Sequence, residues 1–383
     1  MQKSLIALAI GTFALGIAEF AMMGILGDVA DKLDVSIVSA GHLISAYSGG
    51  VAIGAPALIF LRKLPLRRLM LLLAALIAAG NAFAAIAPNY WTLLVARFIS
   101  GLPHGAFFGA GAIVCSRLSS PGHGAQAVAV MVGGMTLANL VGVPGATFIS
   151  NVLSWRMSFA IVSLFGMLAF AGIRLWVPVL SALPDSGLKG QFRFLRSAAP
   201  WLIYAGVFFG QASVYCYFSY VEPIMTEITG FSSSAMTLIM VLAGSGMVVG
   251  NIAAGKLADR FRPSLVTGCI AVLAAILMPC IYLCAPYKLP SLILMFVATG
   301  CLFGLGGPLQ YLIVKFSKGG EMLGGAGIQI AFNVSNAMSA AIGGLAISQG
   351  LGIASPAIVG TPFAIIGAIA LFVLFRRYHT QNA

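Results

Sequence analysis

Four residues that carry charge, or can take one up, interrupt stretches that are otherwise apolar enough to cross a lipid bilayer. They are Glu19, His42, Arg97 and His104. A permanent cation at the bilayer centre costs about 2.5–3.5 kcal/mol on insertion scales, so it persists where it faces a packed or watery interior and has a partner. We therefore interpret these residues as candidates for proton coupling inside the membrane.

Helix geometry places three of the four at similar depth. With the rise of an α-helix, Glu19, Arg97 and His42 lie about 10, 9 and 7 Å inside the outer ends of their predicted helices. The sequence predicts a Glu19–Arg97 pair, with His42 as a candidate third member. The alternative is a static ion pair with a purely structural role.

His104 follows Arg97 by seven residues, so the two lie on one helix face with Gly101 between them. A histidine at this depth can shuttle protons or hydrogen-bond to a sugar. It can equally be a neutral side chain that packs against Pro103 and is satisfied by a backbone carbonyl.

The apolar stretches of the second half contain polar side chains without charge. Gln329, Asn333 and Asn336 follow one another at i, i+4 and i+7, which gives one helix a polar stripe. Amides can bond to hydroxyl-rich ligands, and aromatic rings can stack on sugar faces. We expect the substrate cavity to be lined by Gln211, Tyr215, Gln310, Gln329, Asn333 and Asn336. The competing interpretation is that these side chains join neighbouring helices.

The composition is that of an integral membrane protein. Of the 383 residues, 60% are hydrophobic and 8% are charged, too few charges to cover a soluble surface. The net charge of +12 falls in short clusters between apolar runs, which argues against nucleic acid as a partner. The six cysteines lie in or beside apolar runs, and no His or acidic residue accompanies them as a metal site would require. We therefore expect the cysteines to have packing roles, and we expect no metal and no cofactor.

Spanning helices need about 20 apolar residues, and twelve stretches reach this length. They are residues 4–26, 37–60, 67–87, 91–115, 127–150, 157–178, 200–221, 234–257, 264–285, 290–314, 323–347 and 357–375. The longest polar interval divides them into six and six. The sequence predicts an all-α membrane fold of two six-helix bundles, residues 1–178 and 200–383, joined by a cytoplasmic linker, 179–199.

Basic residues set the predicted orientation. With the N-terminus inside, seventeen of the 21 Lys and Arg residues fall in cytoplasmic segments and three in outer loops. Both termini are therefore predicted to be cytoplasmic.

The two halves repeat each other. Gly54 and Gly250 are 196 residues apart, and Gly101 and Gly105 return 199 residues later as Gly300 and Gly304. Arg97 corresponds to Phe296, so the buried charge is confined to the first half. Parallel repeats of six helices around a midplane site are one known transporter architecture.

Two motifs add to this pattern. The turn GKLADR (Gly255 to Arg260) predicts close helix approach at Gly255 and an acceptor at Asp259; a solvated charged turn is the alternative. Gly133 and Gly142 predict tight helix contacts, and Pro144 predicts a bend with a freed carbonyl.

Together these motifs resemble the major facilitator superfamily. GKLADR resembles its signature turn, Arg97 with Gly101 and Gly105 resembles its fourth-helix RxxxG motif, and Gly133, Gly142 and Pro144 resemble the fifth-helix motif of its drug:proton antiporter-1 family. The segments GTFALGIAEFAMMG, ISGLPHGAFFGAGAIV and GGAGIQIAFN resemble the bacterial sugar-efflux transporters of the AraJ type. The resemblance implies that a first-helix acid and the fourth-helix Arg serve proton coupling, and that the membrane is a bacterial inner membrane.

The prediction is therefore a secondary transporter, acting as a monomer in the lipid bilayer, that exchanges protons for a small molecule. Export of a sugar or sugar oligomer follows from the resemblance; a proton-coupled importer or a multidrug exporter are the alternatives. A channel would need no alternating access. The sequence contains no GxxxxGK[ST], HExxH or GxSxG motif, and we predict no enzyme activity.

Overall fold

The protein is described from a computed structural model over residues 2–61, 64–119, 124–181, 192–317 and 321–378. These residues form helices and short connections, without strands. The helices of the first half are α1 Gln2–Gly24, α2 Leu26–Leu33, α3 Ile37–Leu61, α4 Leu66–Ala85, α5 Tyr90–Gly101, α6 Pro103–Leu118, α7 Gly124–Leu137, α8 Val143–Val152 and α9 Trp155–Trp176. Those of the second half are α10 Ala198–Phe218, α11 Met236–Arg260, α12 Pro263–Cys284, α13 Lys288–Gly304, α14 Gly306–Phe316, α15 Glu321–Ala346 and α16 Ser355–Tyr378.

Within the described part of the chain, 11 helical segments are long and apolar enough to cross a membrane. The predicted seventh span is present as α10, which has 21 residues but is not among them. Its three tyrosines and Gln211 lower its hydropathy.

The chain divides into two compact units. The first contains Met1–Val35 and Ala46–Asp185, and the second contains Ser36–Ser45 and Ser186–Ala383. The predicted division at 179–199 lies near this boundary, but the N-terminal part of α3 is grouped with the second unit. Residues 182–191 of the predicted linker lie outside the described residues.

Both units use the same pairs of helices for packing. In the first, α1 packs against α7 and α9, and α4 packs against α9. In the second, α10 packs against α15 and α16, and α12 packs against α16. The core of the first unit includes Leu15, Met70 and Phe107, and that of the second includes Ile203 and Leu371.

The repeated glycines lie where helices approach most closely. A Cβ on Gly101 would collide with the backbone carbonyl of Tyr47, and a Cβ on Gly300 would lie 3.2 Å from the carbonyl oxygen of Gly246. One turn later, added Cβ atoms on Gly105 and Gly304 would lie 2.7 and 3.3 Å from the Cβ atoms of Ala55 and Ala254. Side chains at these positions would force the helices apart.

Two predicted glycine contacts are wrong. A Cβ on Gly133 or Gly255 would meet no described atom within 4 Å, because Gly133 faces outward and Gly255 lies beside open space. At Gly142, by contrast, a Cβ would lie 2.6 Å from Ile17, so this part of the fifth-helix motif does bring helices together.

In the second-half turn, Arg260 is exposed and lies over the Phe261 ring at 5.6 Å. The Asp259 side chain, predicted to accept a hydrogen bond, lies outside the described residues.

Prolines interrupt two spans. Pro103 lacks an N–H and follows Leu102, where α5 ends and the Leu102 N–H donates to Ile99 at 3.2 Å. A π-helical turn, Ala138–Gly142, directly precedes α8, whose second residue is Pro144. A missing donor disturbs the i→i−4 ladder, and a π-turn accommodates the extra carbonyl.

Candidate functional site

Four buried side chains from three spans meet in the first unit. Glu19 on α1, Tyr47 on α3, Arg97 on α5 and His104 on α6 are each no more than 1% exposed. We refer to these four as the buried ionisable cluster.

His104 lies at the centre of the cluster and uses both ring nitrogens. Its Nε2 is 3.8 Å from Glu19 Oε2, within ion-pair distance but beyond a direct hydrogen bond. Its Nδ1 is 2.9 Å from the Tyr47 hydroxyl, which is a hydrogen-bonding distance. The ring also stacks on Phe108, with centroids 5.3 Å apart, and this fixes its plane.

Arg97 lies beside this row of groups. It donates to the Ala18 carbonyl at 2.7 Å, directly before Glu19 in the chain, and its charge interacts with that of Glu19. The guanidinium carbon also lies 4.4 Å from the Tyr47 ring centre and 5.4 Å from that of Phe159. Aromatic faces stabilise a desolvated cation by about 2 kcal/mol, which helps to offset its burial.

Local sequence explains the arrangement. Gly101 lets the α3 backbone approach at Tyr47, which brings that phenol to the fourth span. Pro103 opens α6, and His104 follows it at once. The break between α5 and α6 lies between Arg97 and His104, and both side chains are buried in the cluster.

The structure therefore brings together Glu19, Arg97 and His104, but not the fourth predicted member. His42 is exposed and belongs to Ser36–Ser45, the stretch of α3 grouped with the second unit. The predicted place of His42 beside the pair is wrong. Depth along a helix does not fix the direction in which a side chain points around the helix axis.

Tyr47 is the member that sequence reasoning missed. It lies on the helix face that carries Gly50 and Gly54, and added Cβ atoms there would collide with the carbonyls of Phe98 and Leu102. That small-residue face was visible in the sequence. A tyrosine one turn before Gly50 should face the fourth span as well.

The polar residues predicted in the second half separate into two groups. Gln211, Tyr215, Asn333 and Asn336 are buried, and Gln310 and Gln329 are half-buried. Gln211 donates to the Leu302 carbonyl at 3.4 Å, which joins α10 to α13 as the alternative interpretation expected.

Asn336 differs from these residues. Its side chain is fully buried, and neither its oxygen nor its nitrogen has a hydrogen-bond partner among the described residues. Asn333, one turn earlier, donates to the Gln329 carbonyl at 3.0 Å and leaves its oxygen without a described partner. Buried amides normally have partners, so these two are the strongest ligand-binding candidates of the stripe.

Comparison with known proteins fits a fold of two repeated units. The family model described as Major Facilitator Superfamily matches residues 8–220 and 201–383. The chain belongs to the major facilitator superfamily. It is therefore a multi-pass membrane protein of a transporter superfamily, as the motifs predicted.

Relatives that match over their full length support the same family. The chain is 44% identical to the Escherichia coli (strain K12) protein named "Putative transporter AraJ", over 100% of this chain and 97% of that protein. It is 35% identical to "Inner membrane transport protein YdhP" of the same strain, over 98% and 96% of the two chains.

Among solved structures, a bacterial homologue of the human lysosomal transporter Spinster has the same fold. That structure is inward-facing and unoccupied. The TM-score is 0.76 at 16% identity, and the match covers 98% of this chain and 97% of that one.

Proposed function

We propose that this protein is a proton-coupled secondary transporter that exports a small, hydroxyl-rich molecule of the sugar class. The observation that carries the proposal is the 3.8 Å approach of Glu19 to His104 in a fully buried setting that also contains Arg97. Titratable groups in a membrane interior mark proton pathways by default. The predicted orientation makes proton entry from outside the driving step.

The two ring nitrogens of His104 provide a way to move the proton. With Glu19 ionised, His104 presents Nε2–H towards the carboxylate while the Tyr47 hydroxyl donates to Nδ1. A proton delivered to the Tyr47 oxygen lets that hydroxyl pass its own proton to Nδ1. In the same step Nε2 releases its proton to Glu19, as the 3.8 Å gap closes to hydrogen-bond distance, so His104 never holds both protons.

The Tyr47 hydroxyl has a second acceptor for the state in which Glu19 is protonated. Its hydroxyl lies 3.4 Å from the Leu15 carbonyl oxygen, so it can donate there while it accepts from Nδ1–H. Each protonation state of Glu19 thus has a matching tautomer of His104, and no imidazolium is needed. In the buried cluster this avoids placing a second positive charge beside Arg97.

Protonation of Glu19 changes the charge balance around Arg97. The carboxylate and the guanidinium together are neutral, whereas protonated Glu19 leaves the buried guanidinium uncompensated. A buried charge without compensation favours any conformation that rehydrates it. We infer that this preference couples proton uptake to the change in access of the substrate site.

The substrate class rests on the amide stripe and on the AraJ-type resemblance. Asn333 and Asn336 offer buried acceptors and donors to a neutral hydroxylated ligand. Tyr215 on α10 is buried and packs edge-on against Phe332 of the stripe helix, with ring centroids 5.4 Å apart.

A second candidate function is multidrug export. It is favoured by a relative from Streptomyces lividans named "Chloramphenicol resistance protein", which is 27% identical over 98% of this chain and 96% of that protein. Transport of a sugar panel and a panel of amphipathic drugs, each with and without a proton gradient, separates the two.

The coupling proposal is tested with Glu19→Gln in proteoliposomes of the full-length chain. We expect the variant to lose substrate flux driven by an imposed pH gradient and to keep downhill exchange of substrate. Asp31→Asn, which neutralises an exposed acid on α2, is the control and should keep both activities. Full gradient-driven transport by Glu19→Gln would overturn the proposal.

A further inference from the structure

A cavity of about 480 Å³ lies within the second unit, where four of its helices end. Its walls come from the end of α11, the start of α12, the whole length of α14 and the last turns of α16. The volume is within the range of small-ligand sites, roughly 300–1,000 Å³.

Some lining residues of this cavity suit an anion. Arg262 and Lys315 line it, together with Ser264, and Arg262 directly precedes Pro263, which opens the 22-residue helix α12. The dipole of α12 favours negative charge at this end, although Pro263 has no N–H and the N–H groups of Leu265 and Val266 donate to the Arg262 carbonyl. The two cations therefore provide the main attraction for a phosphate group.

The cavity also has apolar lining residues. They are Pro308, Leu312, Phe316 and Leu374, and Phe316 meets Tyr378 edge-on with centroids 5.3 Å apart. A free phosphate ion gains nothing from apolar lining residues. An amphiphile with an anionic head contacts both the cations and the apolar residues.

The position along the helices supports the same occupant. Lys315 lies in the last turn of α14 and Tyr378 ends α16, so the cavity is at the level where spans leave the bilayer. Tyrosine is enriched at this level, and basic pockets beside spanning helices bind anionic lipid head groups.

A second cavity in this unit serves as a comparison. It measures about 530 Å³ and is lined by aliphatic side chains and Phe372 of α12 and α16, with Arg376 as its one charged residue. It has neither a second cation nor a helix start among its lining residues. The combination of features is therefore particular to the first cavity.

We propose that the cavity between Arg262 and Lys315 binds the phosphate of an anionic phospholipid, whose glycerol and upper acyl chain pack against Leu312, Phe316 and Leu374. The lipid would tie the start of α12 to the ends of α14 and α16. The site is separate from the buried ionisable cluster, which lies in the first unit.

The test uses the delipidated full-length protein in a neutral detergent. Phosphatidylglycerol should raise its unfolding temperature and remain bound in native mass spectrometry, whereas phosphatidylcholine and soluble glycerol phosphate should do neither. The double variant Arg262→Gln/Lys315→Gln should bind phosphatidylglycerol about tenfold more weakly, since each basic residue near the surface contributes to such binding.

Two further variants make the result specific. Lys256→Gln/Arg377→Gln removes the same charge from exposed positions that do not line the cavity, and it should bind the lipid as the wild type does. Gly307→Leu keeps both cations but fills the cavity, where a Cβ would meet only Asn251 at 3.5 Å, and it should weaken binding. Equal loss in the exposed-charge variant, full binding by the cavity-lining double variant, or an equal response to soluble glycerol phosphate would each overturn the proposal.

Discussion

Arg97 has no exposed surface, and yet its surroundings account for its charge. It combines a carbonyl acceptor at 2.7 Å, the nearby carboxylate of Glu19 and two aromatic faces. A buried guanidinium with fewer of these would be costly by several kcal/mol. The chemistry of the cluster therefore depends on Glu19 keeping its charge, which makes the protonation of this one residue consequential.

Tyr47→Phe is the most direct probe of the proton route. Loss of the hydroxyl removes the 2.9 Å partner of His104 Nδ1 while the ring beside Arg97 is kept. We expect a stability loss of about 1–3 kcal/mol, because a buried ring nitrogen loses its partner. Proton-driven transport should fall by more than downhill exchange.

Tyr204→Phe is the matched control for that variant. Its hydroxyl also donates to a backbone carbonyl, that of Gly324 at 3.1 Å, but in the second unit. It should lower stability without changing the ratio of proton-driven to downhill flux. An unchanged ratio in Tyr47→Phe as well would remove Tyr47 from the proposed route.

At the scale of residues, the sequence identified the ionisable side chains but did not show which way each one points around its helix. Glu19, Arg97 and His104 stand out because ionisable residues are rare in apolar runs. His42 satisfied the same criterion, but it lies five residues from Tyr47, about 140° away around a helix of 3.6 residues per turn. Only the packing partner of α3 decides which of these two faces the cluster.

At the scale of helices, close contact is set by backbone against backbone. Gly101 meets the Tyr47 carbonyl, and the equivalent Gly300 lies close to Gly246. The repeat marked these glycines, but the sequence analysis predicted tight contacts at Gly133, Gly142 and Gly255 instead. The π-turn before Pro144 was not predicted either, because a proline marks a disturbed ladder but its neighbours decide how the extra carbonyl is accommodated.

Gly101→Ala and Gly133→Ala should have opposite effects, although both residues belong to family motifs. At Gly101 the new Cβ meets backbone, which cannot move like a side chain, and we expect a loss of about 1–3 kcal/mol. At Gly133 it meets no described atom, so helix propensity should give a gain of about 0.5–1 kcal/mol.

Thermal unfolding of both glycine variants in the same detergent measures the difference. In Gly101→Ala the displaced α3 should also move Tyr47 from His104 and reduce proton-driven flux. Equal unfolding temperatures for the two variants would contradict the packing argument.

At the scale of the whole molecule, the two units share their helix pairings but differ in chemistry. The first holds the buried ionisable cluster, and the second holds the buried amides of Asn333 and Asn336. Repetition in the sequence predicted two six-helix repeats, and Phe296 in place of Arg97 predicted that buried charge is confined to the first half. The second expectation is wrong, because Glu222 of the second unit is a buried acid, 7% exposed. The grouping of Ser36–Ser45 with the second unit was not predicted. The sequence of a continuous apolar helix does not show at which residue its packing partners switch from one unit to the other.

Orientation in the membrane remains a prediction from charge, and it sets the direction of proton flow. Phe192 precedes α10 and Ser232 follows it, and both are exposed. In a cysteine-free background we expect Ser232→Cys to react with a membrane-impermeant maleimide in intact cells. Phe192→Cys should react only after permeabilisation, because basic segments stay in the cytoplasm. The reverse pattern would place the basic helix ends outside, and proton entry would then drive uptake rather than export.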